Sequence, residues 1–353
     1  HMKLVTVGEM RAIEAAADKG GVTYAMMMER AGIGLAQIVM DRYSDDTGRN
    51  ILGLVGSGHN GGDTLIALEQ LANAGWKVQA YLAKSRPGDP LISRLVNAGG
   101  EVLVASDDDK TARLIQAIKH ADILLDGLLG TGTQLPLRKD LAQLLAKVKK
   151  NIPEETQVIA VDCPSGVDCE TGAAAPECIA ADLTVCMAAV KIGLLALPAF
   201  SFIGELAVVD IGLPEDLEAW SQVRTYVVNQ EEVYAILPPR PLDAHKGTFG
   251  TVMIIAGSVN YPGAAALSAR AAYRIGAGLV RLAVPGSIYN PMVTAIPEAV
   301  FVLLPQELGV IAADAADVVG QFLADADALL LGPGFGLEDT TREFLEKMIT
   351  GRS

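Results

Sequence analysis

Short apolar segments alternate with amphipathic segments over the first 213 residues of the chain. Continuously apolar strands that alternate with helices are typical of a parallel sheet covered on both faces. The apolar segments read ILGLVG, KVQAYLA, EVLVAS, DILLDGL, QVIAVDC, LTVCMAA and GELAVVDIG. The pattern therefore predicts an α/β domain built on seven parallel strands. Two helices are predicted before the first of them, because Thr6 and Glu9 match a capping box and Thr23 is placed as an N-cap.

A second α/β region is predicted after the polar stretch GLPEDLEAWSQVRTYVVNQEEV. Strands are indicated at TVMIIAG, LVRLAVP and ADALLLG, with helices at AAALSARAAYRIGAG and DTTREFLEKMIT. Only one helix follows the last of these strands, so this region is expected to be an incomplete domain. The predicted domain limits are 1–220 and 228–353.

Composition and charge narrow the range of functions. The 353 residues are 50% hydrophobic and carry a formal net charge of −14, which disfavours binding to nucleic acid or to an anionic membrane surface. No uncharged apolar run is long enough to span a bilayer. The four cysteines form no C-x-x-C pair, so free thiols and a reducing cytoplasm are expected.

The glycine-rich segment GSGHNGGDT at 56–64 separates the first predicted strand from a helix. It contains G-x-G-x-x-G, but a dinucleotide fingerprint also needs an acid about 20 residues further on, and none lies between Trp76 and Pro87. Gly62-Asp63-Thr64 does not match the Gly-Lys-Ser/Thr of a kinase phosphate loop either. Adjacent glycines at a helix start let the backbone approach an anionic ligand closely.

Three acids, Asp63, Asp126 and Asp162, fall at or just beyond the ends of predicted strands. Any one of them could be a helix N-cap, and Asp63 in particular. Together they favour a site, because ligands of open parallel sheets bind outside the carboxyl ends of the strands. A small cation could offset the charge repulsion, with Asn60, Asp126 and Ser165 as hard oxygen ligands.

The segments MERAG, NGGD, LLDGLLGTG, VIAVDCPSGVDCETG, ADLTVCMAAVKIGLL and GELAVVDIGLP occur in the order seen in the YjeF N-terminal domain, which they resemble. That family is the NAD(P)H-hydrate epimerase. The segments HKGTFGTVMIIAGS, YPGAAALSARAAYRIGAGLVRLAVP, PEAV and ALLLGPGFG resemble the ADP-dependent NAD(P)H-hydrate dehydratase. The resemblance implies a Rossmann-like three-layer α/β/α domain followed by an incomplete ribokinase-like α/β domain.

The resemblance also implies site residues. Asp162 would contact the reacting ring and act as its acid and base, Asn60, Asp126 and Ser165 would ligate potassium, and Ala264 and Gly334 would touch the hydrate in the second domain. The remaining substrate-binding residues would be His59, Asn60, Gly61, Gly62, Asp63, Gly130, Thr131, Gly132, Thr133, Gln134, Leu135 and Pro136. His59 departs from the asparagine of many relatives, and an imidazole is larger than a carboxamide and can titrate.

The implied substrates are hydrated NADH and NADPH, and relatives indicate a homo-oligomer. The epimerase moves no hydride, so the missing ribose acid is no contradiction. Lys84 and Arg86 could meet a 2′-phosphate, although a solvated loop is the preferred interpretation. The dehydratase would use ADP or ATP with magnesium and an aspartate in a late Gly-x-Gly-Asp turn. No such turn follows residue 230, so dehydration is expected to be absent from this chain.

Besides an NAD dehydrogenase, which the missing ribose acid disfavours, two alternatives stay open at this point. One is a small-molecule kinase of the ribokinase superfamily, which GPGFG favours and the missing late aspartate disfavours. The other is a binding module without catalysis, which would not need both Asp126 and Asp162. A change in the epimer ratio of hydrated NADH on mixing with the protein would distinguish the epimerase from both.

Overall fold

The computed structural model describes residues 2–43 and 49–351. The chain divides into two compact units, His1–Ile236 and Leu237–Ser353. The domain limits drawn from the sequence remain predictions. Among the described residues, no helix is both long enough and apolar enough to cross a membrane.

The first unit is built on a parallel sheet of seven strands in the order β4-β3-β2-β5-β6-β7-β9. Its strands are β1 Met2–Val5, β2 Asn50–Val55, β3 Lys77–Leu82, β4 Glu101–Val104, β5 Ile123–Gly127, β6 Gln157–Val161, β7 Leu183–Met187, β8 Val190–Lys191, β9 Glu205–Val209 and β10 Tyr226–Val227. Its helices are α1 Val7–Lys19, α2 Tyr24–Arg42, α3 His59–Asn73, α4 Pro90–Asn97, α5 Ala112–His120, α6 Lys139–Asn151, α7 Glu218–Ser221 and α8 Gln230–Ile236. The predicted fold class and all seven strands of the sheet are confirmed.

Two apolar cores cover the two faces of this sheet, because successive side chains of a strand point to opposite faces. Ile51 of β2 packs into the core that α1, α2, α3 and α4 share, whereas its neighbour Leu52 packs into the core with α5 and α6. Burial on both faces fixes the register of the strands, so their carboxyl ends meet at one edge.

The chain begins with a strand rather than the predicted helix. β1 pairs with β10 antiparallel and with β8 parallel, forming a separate three-stranded sheet. Its partners lie near residues 190 and 226, so local periodicity could not indicate the pairing. α1 follows directly, and the predicted capping box of Thr6 and Glu9 is present in both directions.

The second unit has a parallel sheet of four strands in the order β13-β12-β11-β16. Its strands are β11 Thr251–Ile255, β12 Leu279–Pro285, β13 Val300–Leu304, β14 Gln306–Glu307, β15 Val310–Ile311 and β16 Ala328–Leu331. Its helices are α9 Pro262–Ile275, α10 Tyr289–Ala295, α11 Ala315–Leu323 and α12 Asp339–Thr350. The three predicted strands and two predicted helices are confirmed, whereas β13, β14, β15, α10 and α11 were not predicted.

Candidate functional site

The glycine loop after β2 packs backbone against backbone. A Cβ atom placed on Gly61 would clash with the carbonyl oxygen of Gly56, and one on Gly56 would clash with that of Leu128. A Cβ on Gly62 would lie 2.5 Å from the sulfur of Met28. Gly56 and Gly61 are therefore required by close backbone contact, whereas Gly62 meets the end of a side chain. The approach of a ligand to this loop stays a prediction.

Helix α3 begins at His59, with Gly58 as an N-cap that makes no side-chain capping bond. Its first amides are thus available to a ligand, and the helix dipole favours an anion there. Asp63 lies inside the helix, more than a turn after that N-cap, and is buried. The N-cap interpretation of Asp63 is therefore wrong, and its place in a binding site stays a prediction.

Asp162 follows β6 directly and adopts a positive φ of 64°, which is strained for a residue with a side chain. Its amide donates to the carbonyl of Val185 at 2.8 Å. Its carboxylate Oδ1 accepts a hydrogen bond from the amide of Met187 at 3.0 Å and another from Lys191 Nζ. These bonds hold the carboxylate of Asp162, 13% exposed, at the carboxyl edge of the sheet.

Lys191 is a cation that the sequence analysis did not place in the site. It ends β8, is 1% exposed, and donates to Asp162 and to the carbonyl of Met187 at 3.1 Å. Burial acts to lower the pKa of Lys191, but the charge and hydrogen bond of Asp162, together with Cys186 and Cys169, outweigh it and the pKa is raised. The ammonium is therefore retained at neutral pH, and it pairs with Asp162.

Three carboxyl groups, those of Asp63, Asp162 and Glu14, interact with the charge of Lys191. Burial raises the pKa of Asp63 well above its usual value, and the charges of Asp162 and Glu14 raise it further. Burial likewise raises the pKa of Glu14, which Lys191 partly offsets. Asp63 thus favours its protonated form, while Asp162 is paired with an ammonium, and such contrasting environments are typical of acid–base pairs.

Asp126, Ser165 and Asn60 form a connected polar chain at the ends of β5 and β6. The carboxylate of Asp126, 1% exposed, accepts from the amide and the hydroxyl of Ser165 at 2.8 and 2.6 Å. The hydroxyl of Ser165 accepts from the amide of Leu129 at 2.9 Å, and the carbonyl of Leu129 accepts from Asn60 Nδ2 at 2.7 Å. Burial raises the pKa of Asp126, although the hydrogen bonds that its carboxylate accepts act to lower it.

Asn60 Oδ1 is buried and has no hydrogen-bond partner among the described residues. A buried polar atom without a partner is uncommon and calls for a ligand, an ion or a water. Because the nearby oxygens of Asp126 and Ser165 are hard donors as well, this set fits a hard cation such as potassium.

The predicted loop 130–136 forms a more open rim beside these groups. Gly130 lies against Asn60, since an added Cβ would be 3.3 Å from the Cβ of Asn60. Thr133 closes a turn by donating to the carbonyl of Gly130 at 2.8 Å. Thr131 and Leu135 are half-buried, whereas Gly132, Gln134 and Pro136 are exposed. His59 is exposed too, and its ring lies 5.9 Å from that of Tyr24.

The guanidinium of Arg86 is bound by other groups of the protein. Its guanidinium donates to the carbonyls of Gly56 and Gly58 at 2.7 and 3.3 Å and pairs with Asp89 at 2.7 Å. It therefore braces the glycine loop and is neither a solvated side chain nor a free cation for a 2′-phosphate. Lys84 is exposed.

Two site residues were missed from the sequence, for different reasons. Lys191 interrupts the apolar run LTVCMAAVKIGLLALPAF, and a lysine inside such a run is a usable signal of a buried ion pair. Glu14 lies on an ordinary amphipathic helix, α1, where nothing in the local pattern distinguishes it from a surface residue.

In the second unit, Ala264 and Gly334 are brought together. Gly334 follows β16 with a φ of 73°, and a Cβ on it would lie 2.7 Å from the Cβ of Ala264. Ala264 lies in the first turn of α9, after β11. The two residues therefore share the carboxyl ends of β11 and β16.

Comparisons with known proteins match both halves of the chain. The family described as YjeF-related protein N-terminus matches residues 24–193, and the family described as NAD(P)H-hydrate dehydratase matches residues 252–352. The bifunctional NAD(P)H-hydrate repair enzyme Nnr of Moorella thermoacetica is 31% identical over 99% of this chain and 67% of its own. That of Escherichia coli is 32% identical over 94% of this chain and 61% of its own.

The chain thus spans about two thirds of the length of these curated relatives. The crystal structure of the yeast protein ynu0 superposes with a TM-score of 0.53 at 21% identity, covering 65% of this chain and 97% of the yeast chain. That similarity supports the fold alone.

Proposed function

We propose a role for each unit from one premise, that the chain belongs to the family of bifunctional NAD(P)H-hydrate repair enzymes. The first unit interconverts the R and S forms of hydrated NADH and NADPH at the ring carbon that carries the hydroxyl. The observation that carries this proposal is the Asp162–Lys191 pair beside buried Asp63, at the edge where an uncapped helix start presents its amides.

The reaction needs acid catalysis in one step and base catalysis in the other. The ring nitrogen's lone pair expels the neighbouring hydroxyl, which takes a proton and leaves as water. Water then adds to the opposite face of the ring and returns a proton. Positioned carboxyl groups accelerate such transfers by about 10²–10⁴-fold.

Asp162 is the proposed acid and base, because it is partly exposed and Lys191 and the Met187 amide fix its orientation. Asp63 is the second candidate for the departing proton, since its environment favours the protonated form. Lys191 positions Asp162, and its positive charge offsets the cost of burying the negative charge of the carboxyl cluster.

A potassium ion is proposed at Asn60, Asp126 and Ser165. The oxygen with no partner on Asn60 and the buried carboxylate of Asp126 support this ligand set. When bound, the ion would supply positive charge beside Asp126 and hold the ends of β5 and β6 against the start of α3.

The second unit is proposed to be the part of the whole protein that dehydrates the hydrate with ADP or ATP and magnesium. Within this 353-residue chain, we propose that dehydration is absent, because no Gly-x-Gly-Asp turn occurs after residue 230. A homo-oligomer is also proposed. The four buried free thiols suit the proposed cytoplasmic location.

The test is epimer exchange. NADH hydrate enriched in one epimer is mixed with the protein, and the ratio is followed by chromatography. Asp162→Asn is nearly isosteric and should slow exchange about 10²-fold or more. Asp140→Asn, at an exposed position on α6, is the matched control and should leave the rate unchanged. Full exchange by a folded Asp162→Asn protein would refute the assignment.

A further inference from the structure

The hydroxyl of Ser258 in the second unit is buried without a partner. Ser258 is 1% exposed, and its Oγ has no hydrogen-bond partner among the described residues. An unsatisfied buried hydroxyl costs stability, so its presence calls for a reason. Ser258 is not among the site residues that the sequence predicted.

The backbone around Ser258 is fixed on both sides. The amide of Gly257 donates to the carbonyl of Pro333 at 2.7 Å, and the amide of Val259 donates to that of Gly309 at 2.8 Å. Gly257 has a φ of 83°, which a residue with a side chain rarely adopts. The turn is therefore held rigidly, and the hydroxyl cannot move far to find a partner in the protein.

Ser258 also lies at the base of a helix whose start is open. The carbonyl of Ser258 accepts from the amide of Tyr261 at 3.0 Å, and Tyr261 is the N-cap of the 14-residue helix α9. No side chain caps this start; Pro262 has no N–H and the amide of Ala264 donates to the carbonyl of Tyr261 at 3.3 Å, which leaves the amide of Gly263 for a ligand. Nothing lies within 4 Å of a Cβ placed on Gly263. Ala264 and Gly334 border the same place.

We propose that Ser258 is a ligand-positioning residue whose hydroxyl, with the amide of Gly263 in the first turn of α9, binds a phosphate oxygen of a nucleotide. A hydroxyl donor beside an uncapped helix start matches the geometry by which proteins hold phosphate groups. The proposal rests on the proposed function of the second unit, whose hydrate substrate carries a pyrophosphate. The ligand supplies the hydrogen bond that the free protein lacks.

This role predicts opposite effects of Ser258→Ala on stability and on binding. The unfolding midpoint of the second unit should stay the same or rise, because no hydrogen bond within the protein is lost. Ligand affinity should fall about 10- to 100-fold, the range for a hydrogen bond to a charged group. Ser258→Cys, which keeps the size but is a weak donor, should bind as weakly as the alanine variant.

Thr341→Val is the matched control. Thr341 is buried too, but its hydroxyl donates to the carbonyl of Ile311 at 3.2 Å. Removing this satisfied hydroxyl should lower the midpoint and leave ligand binding unchanged, so the two variants should shift stability differently.

Hydrogen–deuterium exchange on the full chain measures each unit separately. Hydrated NADH, ADP and inorganic phosphate are added in turn, and we expect protection of peptide 257–264 by at least one of them, lost in Ser258→Ala. Comparing the three identifies the source of the phosphate.

Three results would overturn the proposal: an unfolding midpoint of Ser258→Ala lowered as in Thr341→Val, protection that Ser258→Ala leaves unchanged, or no protection of 257–264 by any of the three compounds. Missing protection of 58–63 by hydrated NADH would instead count against the proposed first-unit function.

Discussion

Replacing Lys191 by methionine tests the charge arrangement of the first unit most directly. Methionine preserves the length and most of the volume of the side chain but removes the ammonium. The variant loses the ion pair with Asp162 and the bond to the carbonyl of Met187, while Asp162 keeps the bond from the Met187 amide. It also removes the charge that lowers the pKa of Asp63 and one of the two charges that lower the pKa of Glu14, the other being that of Arg11.

The size of the effect follows from burial. Removing one partner of a buried ion pair costs about 3–5 kcal/mol. Because the side chain of Asp162 is 13% exposed, water replaces part of the lost interaction, and we expect a loss of about 2–4 kcal/mol. The folded-state pKa of Lys191 is raised, so its contribution is complete below the ordinary value of about 10.4 and is lost only as pH rises through the higher folded value.

The assay is denaturant unfolding at pH 7.5, followed through the first unit, together with epimer exchange of hydrated NADH. Exchange should slow at least about tenfold, because Asp162 is no longer oriented. Lys191→Arg should recover part of the stability. Lys149→Met, at an exposed lysine that donates to the carbonyl of Pro176, is the control. A Lys191→Met protein as stable and as active as the parent would refute the reasoning.

Three further outcomes are expected. Asp63→Asn should raise the free energy of unfolding of the first unit, by nearly nothing around pH 4 and by more towards pH 7.5. The reason is that the pKa of Asp63 is raised in the folded protein, so the stability of the parent falls as pH rises, whereas the asparagine does not titrate. Unfolding curves at several pH values measure this difference. Exchanging potassium for tetramethylammonium should lower the unfolding midpoint of the parent protein but not of Asn60→Ala; an equal response of both would contradict the ion site. Adding ADP or ATP with magnesium to hydrated NADH and the 353-residue chain should not restore absorbance at the dihydronicotinamide band.

The centre of the first sheet was predictable because its strands β2, β5, β6 and β7 are buried on both faces. β2, β5 and β7 are mainly apolar runs of five or six residues, and this length favours a buried strand over a buried helix segment. β1 was not predictable, because four residues gain strand structure only by pairing with β8 and β10. β13 was missed although its sequence, VFVLL, is a short apolar run of the kind that predicts a strand.

The site was predictable only in part. Asp126 and Asp162 follow from strand ends, which sequence reveals, and the close packing of the glycine loop follows from its composition. The pairing of Lys191 with Asp162 depends on a left-handed backbone at Asp162 and on strand β8, neither of which has a local signature. Arg86 was misjudged because two of its partners are backbone carbonyls of the glycine loop, which are chemically identical in every sequence, although its third partner, Asp89, lies only three residues away.

The close backbone contact among Gly56, Gly61 and Leu128 restricts how this protein can be adapted to other substrates. No side chain can be introduced on either glycine, so substitutions there cannot change the charge or the shape of that part of the site. The segment 130–136 and the exposed pair of Tyr24 and His59 have no such constraint. Mutant libraries that seek an altered nucleotide preference should therefore vary residues 130–136, Tyr24 and His59 and leave Gly56 and Gly61 unchanged.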